Sequence, residues 1–259
     1  MQMSSEVWST IKEEVALRIA AEPSLEKFLT NLVLKQPSIS TATAAIIASK
    51  IRSDALASDE INTFMNDAYA RCANIEEKLE ADLEFFKTMD PACQYYSTPL
   101  LFYKGFLALS TYRAAHCLWN HERHTMALFL QNRASEVFGV DIHPAAHIAE
   151  GVIIDHGTGV VIGETSVIEA NVSIFQGVTL GGRGFSSGKR HPNIKKGASI
   201  FASSTILGDI TVGERAVVAA GSLVLKDVGA NTSVAGIPAK IISKNNLPTA
   251  DWDPGDSGL

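Results

Sequence analysis

The stretch IGETSVIEANVSIFQGVT, from Ile162 to Thr179, has a six-residue period in its apolar residues. An isoleucine opens each six-residue unit of the stretch, at Ile162, Ile168 and Ile174. This spacing is typical of a parallel β-helix, in which each unit supplies one short strand and one turn. The aliphatic side chain points inward and stacks on its copy in the next coil. The stretch therefore predicts successive coils of a β-helix.

The same six-residue period continues in both directions. Earlier units open at Ile142, Ile148 and Ile154, after which the phase slips by two residues. A glycine-rich loop then interrupts the repeat, which resumes with units that open at Ile194, Ile200, Ile206, Val212, Val218 and Val224. This run predicts a left-handed parallel β-helix of hexapeptide repeats over residues 140–242, with a loop at residues 181–193.

The first half of the chain follows a helical period instead. Apolar residues recur every four positions from Val7 to Ile19, Ser4 or Ser5 can cap the start, and Pro23 ends the pattern. Further helices are predicted over residues 42–52, 60–87, 100–119 and 125–138, with Gly139 as the cap of the last. We therefore expect an all-α domain over residues 1–139 and a flexible tail over residues 243–259.

The open ends and flat faces of a β-helix need capping, and such folds often pack against copies of themselves. The helical half is suited to capping or assembly, so we expect a homo-oligomer. The chain has 259 residues, 46 % of them apolar, and a formal net charge of -6, which does not suggest nucleic-acid binding.

Three cysteines, Cys72, Cys93 and Cys117, lie at spacings of no metal or redox motif, and we expect them to be reduced thiols. The N-terminus lacks the basic start and apolar core of a signal peptide, and no apolar run is long enough to span a bilayer. These features favour a cytoplasmic protein.

An ionisable pair, Asp155 and His156, interrupts the apolar run GVIIDHGTGVVIGET. The unperturbed pKa of imidazole lies near neutrality, so His156 is the best candidate for a general base. Such a base needs a second group, usually a carboxylate, to fix its tautomer, and Asp141 is available. Adjacent side chains on a strand face opposite ways, so we expect Asp155 to face a substrate amine instead. A solvated polar corner is the alternative interpretation.

The loop LGGRGFSSGKRHPNI, residues 180–194, contains Arg183, Lys189, Arg190 and His191. These basic residues indicate a lid that binds an anion, in which Arg190 holds a carboxylate through its planar fork. The glycines would let backbone N–H groups approach a ligand. A flexible surface loop with ordinary charges is the alternative.

Several motifs together resemble those of bacterial and plant serine acetyltransferases. In chain order they are DPACQYYSTPLLFYKGF from Asp90, VFGVDIHPAAH from Val137, DHGTG from Asp155, VTLGGRG from Val178, KRHPNI from Lys189 and VAGIPAKII from Val234. The resemblance extends from about Glu6 to Ile242. It is more specific than the hexads alone, which indicate only a hexapeptide-repeat protein.

This resemblance implies that the chain is an acyltransferase, which moves acetyl from acetyl-CoA to the L-serine hydroxyl and gives O-acetyl-L-serine and CoA. That reaction is the first step from serine toward cysteine. Direct transfer would use His156 as the general base, oriented by Asp141. The implied substrate-binding residues are Asp90 and Asp155 for the serine ammonium, Arg190 and His191 for its carboxylate or the oxyanion, and Glu164 as a further carboxylate.

The resemblance also implies where acetyl-CoA binds, in a groove between neighbouring β-helices. Backbone groups of Gly182, Ala202 and Ala220 would contact it, Lys240 would approach its phosphates, and no metal would take part. The family further implies a hexamer built as a dimer of trimers, with L-cysteine as an inhibitor in the serine pocket. It implies docking of the C-terminal tail on O-acetylserine sulfhydrylase, although this tail ends in Leu259 rather than the isoleucine that many members carry.

Three alternatives stay open at this point. The acceptor can be another hydroxyl, such as that of homoserine, a sugar or a nucleotide-sugar. A zinc enzyme on the same fold would need three converging histidines, whereas His143, His147, His156 and His191 have unsuitable spacings. A non-enzymatic partner of the sulfhydrylase would not need the set of candidate catalytic residues.

Overall fold

The computed structural model describes residues 5–54, 56–184 and 187–244. It divides the chain into two compact units, Met1–Pro144 and Ala145–Leu259. Outside the described residues lie Phe185 and Ser186 of the predicted loop and most of the predicted tail, with Leu259. The tail predictions therefore stay predictions.

Helices build the first unit, as predicted. They are α1 (Glu6–Ala21), a 3₁₀ turn (Pro23–Leu25), α2 (Glu26–Leu29) with a π-helical turn (Thr30–Leu34), α3 (Ile39–Ile51), α4 (Ser58–Ala70), α5 (Ile75–Met89), α6 (Ser97–Phe102), α7 (Lys104–Asn120) and α8 (His124–Phe138), followed by the strand β1 (Val140–Ile142). Helix α1 begins after Ser5, whose Oγ accepts a hydrogen bond from the Trp8 backbone N–H at 3.1 Å. Gly139, with a φ of 68°, ends α8 as predicted.

Two predicted helices are wrong in their extent. The helix predicted over residues 60–87 is split into α4 and α5, because Asn74 adopts a left-handed φ of 56°. The helix predicted over residues 100–119 is split into α6 and α7, because Tyr103 has extended backbone between them. Helical periodicity continues across both breaks, so hydrophobic pattern alone does not reveal them.

Polar contacts inside the first unit tie its helices together. Arg113 on α7 donates through Nε and Nη2 to the two carboxylate oxygens of Asp82 on α5, each at 2.8 Å. Both side chains of this ion pair are buried. The Tyr69 hydroxyl on α4 donates to the backbone carbonyl of Ser110 at 3.0 Å, and burial raises the pKa of the Tyr69 phenol. Each contact fixes α7 against a different helix.

The expectation of three reduced thiols is wrong. Cys72, just after α4, and Cys117, in the last turns of α7, are joined by a disulfide with their Cα atoms 5.7 Å apart. This separation suits a disulfide, and the sequence separation of 45 residues gives no local signal for it. Cys93 is a free thiol, as expected, and burial raises its pKa to about 11.

Short strands build the second unit, as the hexads predict. They are β2 (His147–Ile148), β3 (Ile153–Asp155), β4 (Val160–Ile162), β5 (Val167–Ile168), β6 (Ser173–Phe175), β7 (Thr179–Gly181), β8 (Asn193–Ile194), β9 (Ser199–Ile200), β10 (Thr205–Leu207), β11 (Thr211–Val212), β12 (Val217–Val218), β13 (Leu223–Val224), β14 (Ser233–Ala235) and β15 (Lys240–Ser243). Within this unit they stack in the orders β4-β7-β10-β13, β2-β5-β8-β11 and β3-β6-β9-β12-β14-β15. Pairing is parallel except between β14 and β15.

Aliphatic residues that open the hexads form the core of this unit. Ile174 pairs with Ile200 and Ile168 pairs with Ile194. Ile174, Ile194 and Ile200 have no exposed surface. Each coil repeats the same inward position, so the core is a stack of near-identical layers.

Candidate active site

The first candidate residue, His156, lies where one coil of the β-helix is lengthened. Ile153 pairs with Ser173, and Val161 pairs with Thr179. The chain therefore advances eight residues between these pairs in one coil and six in the next. The additional residues lie in the corner between β3 and β4, which carries His156. They explain the slip in phase seen in the sequence.

The corner brings His156 close to Asp155. The backbone N–H of His156 donates to Asp155 Oδ1 at 2.9 Å, and its Nε2 lies 3.8 Å from Asp155 Oδ2. The expectation that these side chains face opposite ways is wrong, because His156 has a left-handed φ of 55° that ends the alternation of the strand. The imidazole is 75 % exposed and the carboxylate 22 % exposed, so the ring is accessible to a ligand.

The second interruption of the repeat carries Arg190 and His191. Val161 pairs with Thr179, and Val167 pairs with Asn193. Six residues separate Val161 from Val167, whereas fourteen separate Thr179 from Asn193. The eight additional residues lie in the predicted loop.

Arg190 is held by Glu164, the second residue after β4. Arg190 Nη2 and Glu164 Oε2 form an ion pair, with 24 % and 39 % of the two side chains exposed. The backbone N–H of Arg190 also donates to Thr165 Oγ1 at 3.0 Å. The guanidinium has five N–H donors in a planar fork, so the ion pair sets the direction of the fork. Glu164 thus orients the residue predicted to bind a carboxylate.

His191 is buried, with 8 % of its surface exposed, and its ring packs beside two glycines. A Cβ added at Gly163 would lie 2.1 Å from the ring Nε2, and one added at Gly182 would lie 3.1 Å from it. On the other side, Thr165 Oγ1 lies 2.9 Å from Nδ1. Any side chain at Gly163 would therefore displace the ring. The His191 ring thus lies between Gly163, in the corner after β4, and Gly182, at the start of the loop after β7.

Two predicted site residues, Asp90 and Asp141, belong to the first unit. Asp90 follows α5, and its carboxylate accepts hydrogen bonds from the Ala92 backbone N–H at 2.8 Å and from the Tyr103 hydroxyl at 3.2 Å. Asp141 lies on β1, and its Oδ1 accepts a hydrogen bond from Gln131 Nε2 at 2.7 Å. Each carboxylate is thus oriented by neighbours within its own unit.

The residues predicted to contact acetyl-CoA lie at several places in the second unit. Ala202 and Ala220 follow the paired strands β9 and β12 at equivalent positions, and the Ala202 carbonyl accepts a hydrogen bond from the Gly221 N–H at 2.8 Å. Gly182 lies beside the His191 ring. Lys240 is exposed at the start of β15. Small residues at the corners leave the backbone accessible, which suits contacts with an extended ligand.

Two other histidines, His143 and His116, have structural surroundings. The ring of His143 packs edge-on against Trp119 with centroids 5.2 Å apart, and His116 Nδ1 contacts the Pro144 carbonyl at 2.7 Å. Within residues 5–54, 56–184 and 187–244, no group of three or more His, Cys, Asp or Glu side chains is gathered as metal ligands. No helix in that part of the chain is long and apolar enough to cross a membrane.

The sequence analysis did not identify Thr165 or Tyr103 as part of the site. Thr165 contacts His191 across 26 positions, and Tyr103 contacts Asp90 across 13. The polar triplet Gly163-Glu164-Thr165 directly after β4 was the available signal for Thr165. Nothing in the pattern around Tyr103 distinguishes its hydroxyl from those of Tyr95 and Tyr96.

A helical unit followed by a parallel β-helix of hexapeptide repeats, with an imidazole and a guanidinium at the breaks in the repeat, is typical of hexapeptide-repeat acyltransferases. The family model for the N-terminal part of serine acetyltransferases matches residues 7–111. Serine acetyltransferase 4 of Arabidopsis thaliana is 48 % identical over 91 % of this chain, which spans 66 % of that relative's length. The serine acetyltransferase of Escherichia coli K12 is 44 % identical over 98 % of this chain and 93 % of its own.

Solved structures similar to this chain are also serine acetyltransferases. A serine acetyltransferase of Neisseria gonorrhoeae in complex with serine has a TM-score of 0.88 and 44 % identity, covering 92 % of this chain and 98 % of its own. A serine acetyltransferase in complex with CoA has a TM-score of 0.89 and 41 % identity, and one in complex with cysteine has 0.90 and 42 %; each covers 93 % of this chain and 100 % of its own. The chain belongs to the serine acetyltransferase family, and it is an acyltransferase.

Proposed function

We propose that the chain is a serine O-acetyltransferase, which moves the acetyl group of acetyl-CoA to the hydroxyl of L-serine and releases O-acetyl-L-serine and CoA. Family membership and the relatives solved with serine and with CoA support this function. The observation that carries it is the lengthened coil, which presents an exposed His156 beside the Asp155 carboxylate.

His156 acts as the general base in a direct transfer. It takes the proton from the serine hydroxyl as that oxygen attacks the thioester carbon of acetyl-CoA. A tetrahedral oxyanion forms and then collapses, the C–S bond breaks, and the imidazolium returns its proton to the sulfur of CoA. Asp141 fixes the tautomer and orientation of His156 during these steps. No covalent acetyl-enzyme is needed, because both substrates react within one complex.

The serine substrate is held at both of its charged ends. The carboxylates of Asp90 and Asp155 bind its ammonium group, because an anionic acceptor forms strong hydrogen bonds with a cationic N–H donor. The Arg190 fork, directed by Glu164, binds its carboxylate. His191 also faces the carboxylate or the developing oxyanion, where a hydrogen-bond donor stabilises the transition state. A hydroxyl acceptor without an amino acid backbone lacks these contacts and should react poorly.

Acetyl-CoA lies along corners of the β-helix and is a substrate rather than a resident cofactor. Backbone groups of Gly182, Ala202 and Ala220 contact it, and the ammonium of Lys240 approaches its phosphates. The chemistry requires no metal. Chemical likeness makes L-cysteine a competitor of serine, because it carries the same ammonium and carboxylate groups, and the relative solved with cysteine supports such feedback inhibition.

Assembly and partners form a further part of this proposal. The helical domain over residues 1–139 joins trimers of the 140–242 domain into a hexamer, and the tail over residues 243–259 docks on O-acetylserine sulfhydrylase through Leu259. The enzyme works in the cytoplasm. Sedimentation of the purified chain tests the hexamer, and calorimetry with a peptide of the tail tests the docking.

The function is tested by the release of CoA thiol from acetyl-CoA with and without L-serine. Serine should stimulate release by the wild type, and His156→Ala should lower kcat by about 10²–10⁴-fold, the usual contribution of a general base. His147→Ala is the matched control, because this exposed histidine of the same unit has no proposed role. Full activity of His156→Ala would refute the mechanism, and a wild type that acetylates homoserine or a galactoside but not serine would refute the substrate.

A further inference from the structure

Thr165 connects the corner after β4 to the loop that carries the predicted anion-binding residues. Its Oγ1 accepts hydrogen bonds from the backbone N–H groups of Arg190 and His191, at 3.0 and 3.1 Å. Its backbone carbonyl accepts a hydrogen bond from Lys189 Nζ. One half-buried threonine therefore contacts three consecutive residues of the loop, which follow it by 24–26 positions.

The same threonine decides which nitrogen of His191 carries the proton. The Thr165 backbone N–H donates to His191 Nδ1 at 3.2 Å, which requires a lone pair on Nδ1. Thr165 Oγ1 lies 2.9 Å from Nδ1 and already accepts two backbone N–H groups, so its own hydrogen is directed at Nδ1. If Nδ1 carried a proton, the Thr165 N–H and O–H groups would both face another donor instead of an acceptor. Neutral His191 therefore carries its proton on Nε2.

Packing holds the ring in this orientation. Nε2 faces Gly163 and Gly182, and a Cβ at Gly163 would overlap Nε2 and Cδ2 of the ring at 2.1 Å. A ring flipped about its Cβ–Cγ bond would place a carbon opposite the Thr165 N–H and leave that donor without an acceptor. Steric fit and hydrogen bonding thus select the same orientation.

We infer that Thr165 is a positioning residue, which fixes the Nε2–H tautomer of His191 and makes this imidazole a hydrogen-bond donor rather than a base. The consequence for catalysis rests on the proposed function. The two imidazoles of the second unit then have separate tasks. His156, exposed beside Asp155, takes a proton, whereas His191 donates a hydrogen bond to the serine carboxylate or to the developing oxyanion.

Kinetics of variants test the positioning role. Thr165→Val keeps the β-branched shape and removes Oγ1, so kcat/KM for serine should fall about 10–100-fold, the size of effect seen when a group that orients a metal-bound histidine is removed. The KM for acetyl-CoA should stay unchanged. Thr165→Ser keeps the hydroxyl and should restore most of the activity. Thr205→Val, at a half-buried threonine on β10, is the matched control and should behave as wild type.

The tautomer is read directly from ring ¹⁵N chemical shifts of the full chain labelled at histidine, with His191 assigned by comparison with His191→Gln. The inference expects the Nε2–H pattern in the wild type and a shift toward a mixture of tautomers in Thr165→Val. An Nδ1–H pattern in the wild type would overturn it, and so would wild-type kinetics of Thr165→Val. If the wild type shows no transfer to serine, the proposed function fails while the ring shifts still decide the tautomer.

Discussion

The helical unit and the β-helix unit reach stability by different means. The β-helix repeats one inward aliphatic position through successive coils, so each layer resembles the next. The helical unit has no such repeat and depends on single contacts, such as Arg113 with Asp82 and Cys72 with Cys117. The two units therefore differ in how clearly the sequence marks their functional residues. In the β-helix, the candidate site residues His156 and Arg190 lie where the repeat is interrupted. The helical unit has no repeat, so no interruption marks Asp90.

The largest expected effect on stability is at the buried ion pair of the helical unit. Arg113→Met removes the guanidinium that pairs with the buried Asp82 carboxylate, and should lower the free energy of unfolding by about 3–5 kcal/mol. Urea unfolding followed by circular dichroism measures the change.

Two control variants test whether the helical unit depends more on single contacts than the β-helix does. Arg71→Met removes a partner of Asp67 at the exposed surface of the same unit and should leave the unfolding midpoint unchanged. In the β-helix, Ile174→Val removes one buried methylene from one layer and should cost about 0.5–1.5 kcal/mol. A larger loss from Ile174→Val than from Arg113→Met would contradict the view that single contacts matter more in the helical unit.

The disulfide gives the next largest effect. Reduction of Cys72–Cys117 removes a cross-link across 45 residues and should destabilise the helical unit by about 2–4 kcal/mol. Calorimetry with and without a phosphine reductant measures the shift in Tm. Cys72→Ser should melt at the lower temperature and no longer respond to the reductant. Three free thiols in the denatured, unreduced protein would show that the bond does not form.

The smallest expected effect concerns the orientation of Asp90. Tyr103→Phe removes the hydroxyl that donates to the Asp90 carboxylate, a contact worth about 1 kcal/mol, so KM for serine should rise about fivefold with KM for acetyl-CoA unchanged. Tyr95→Phe, at an exposed tyrosine nearby, serves as the control. Equal KM values for the two variants would exclude an orienting role for Tyr103.

The fold was predictable from the sequence more completely than the contacts in the site. Hexad spacing predicted the β-helix, and the phase slip marked the corner of His156 without explaining it. The breaks at Asn74 and Tyr103 were missed, because apolar residues keep a helical period on both sides of each break. Alternation along a strand wrongly predicted that the side chains of Asp155 and His156 face opposite ways, since the left-handed residue that follows the strand is a histidine and not a glycine.

From the amino-acid sequence alone one can predict a helical unit followed by a hexapeptide β-helix, with two interruptions that carry His156 and Arg190. These features depend on local periodicity, which a single chain displays directly. Three contacts are visible only in the folded chain: Thr165 with the His191 ring, Glu164 with Arg190, and Cys72 with Cys117. The physical reason is that these contacts join residues 26 to 45 positions apart, which meet only once the coils stack and the helices pack.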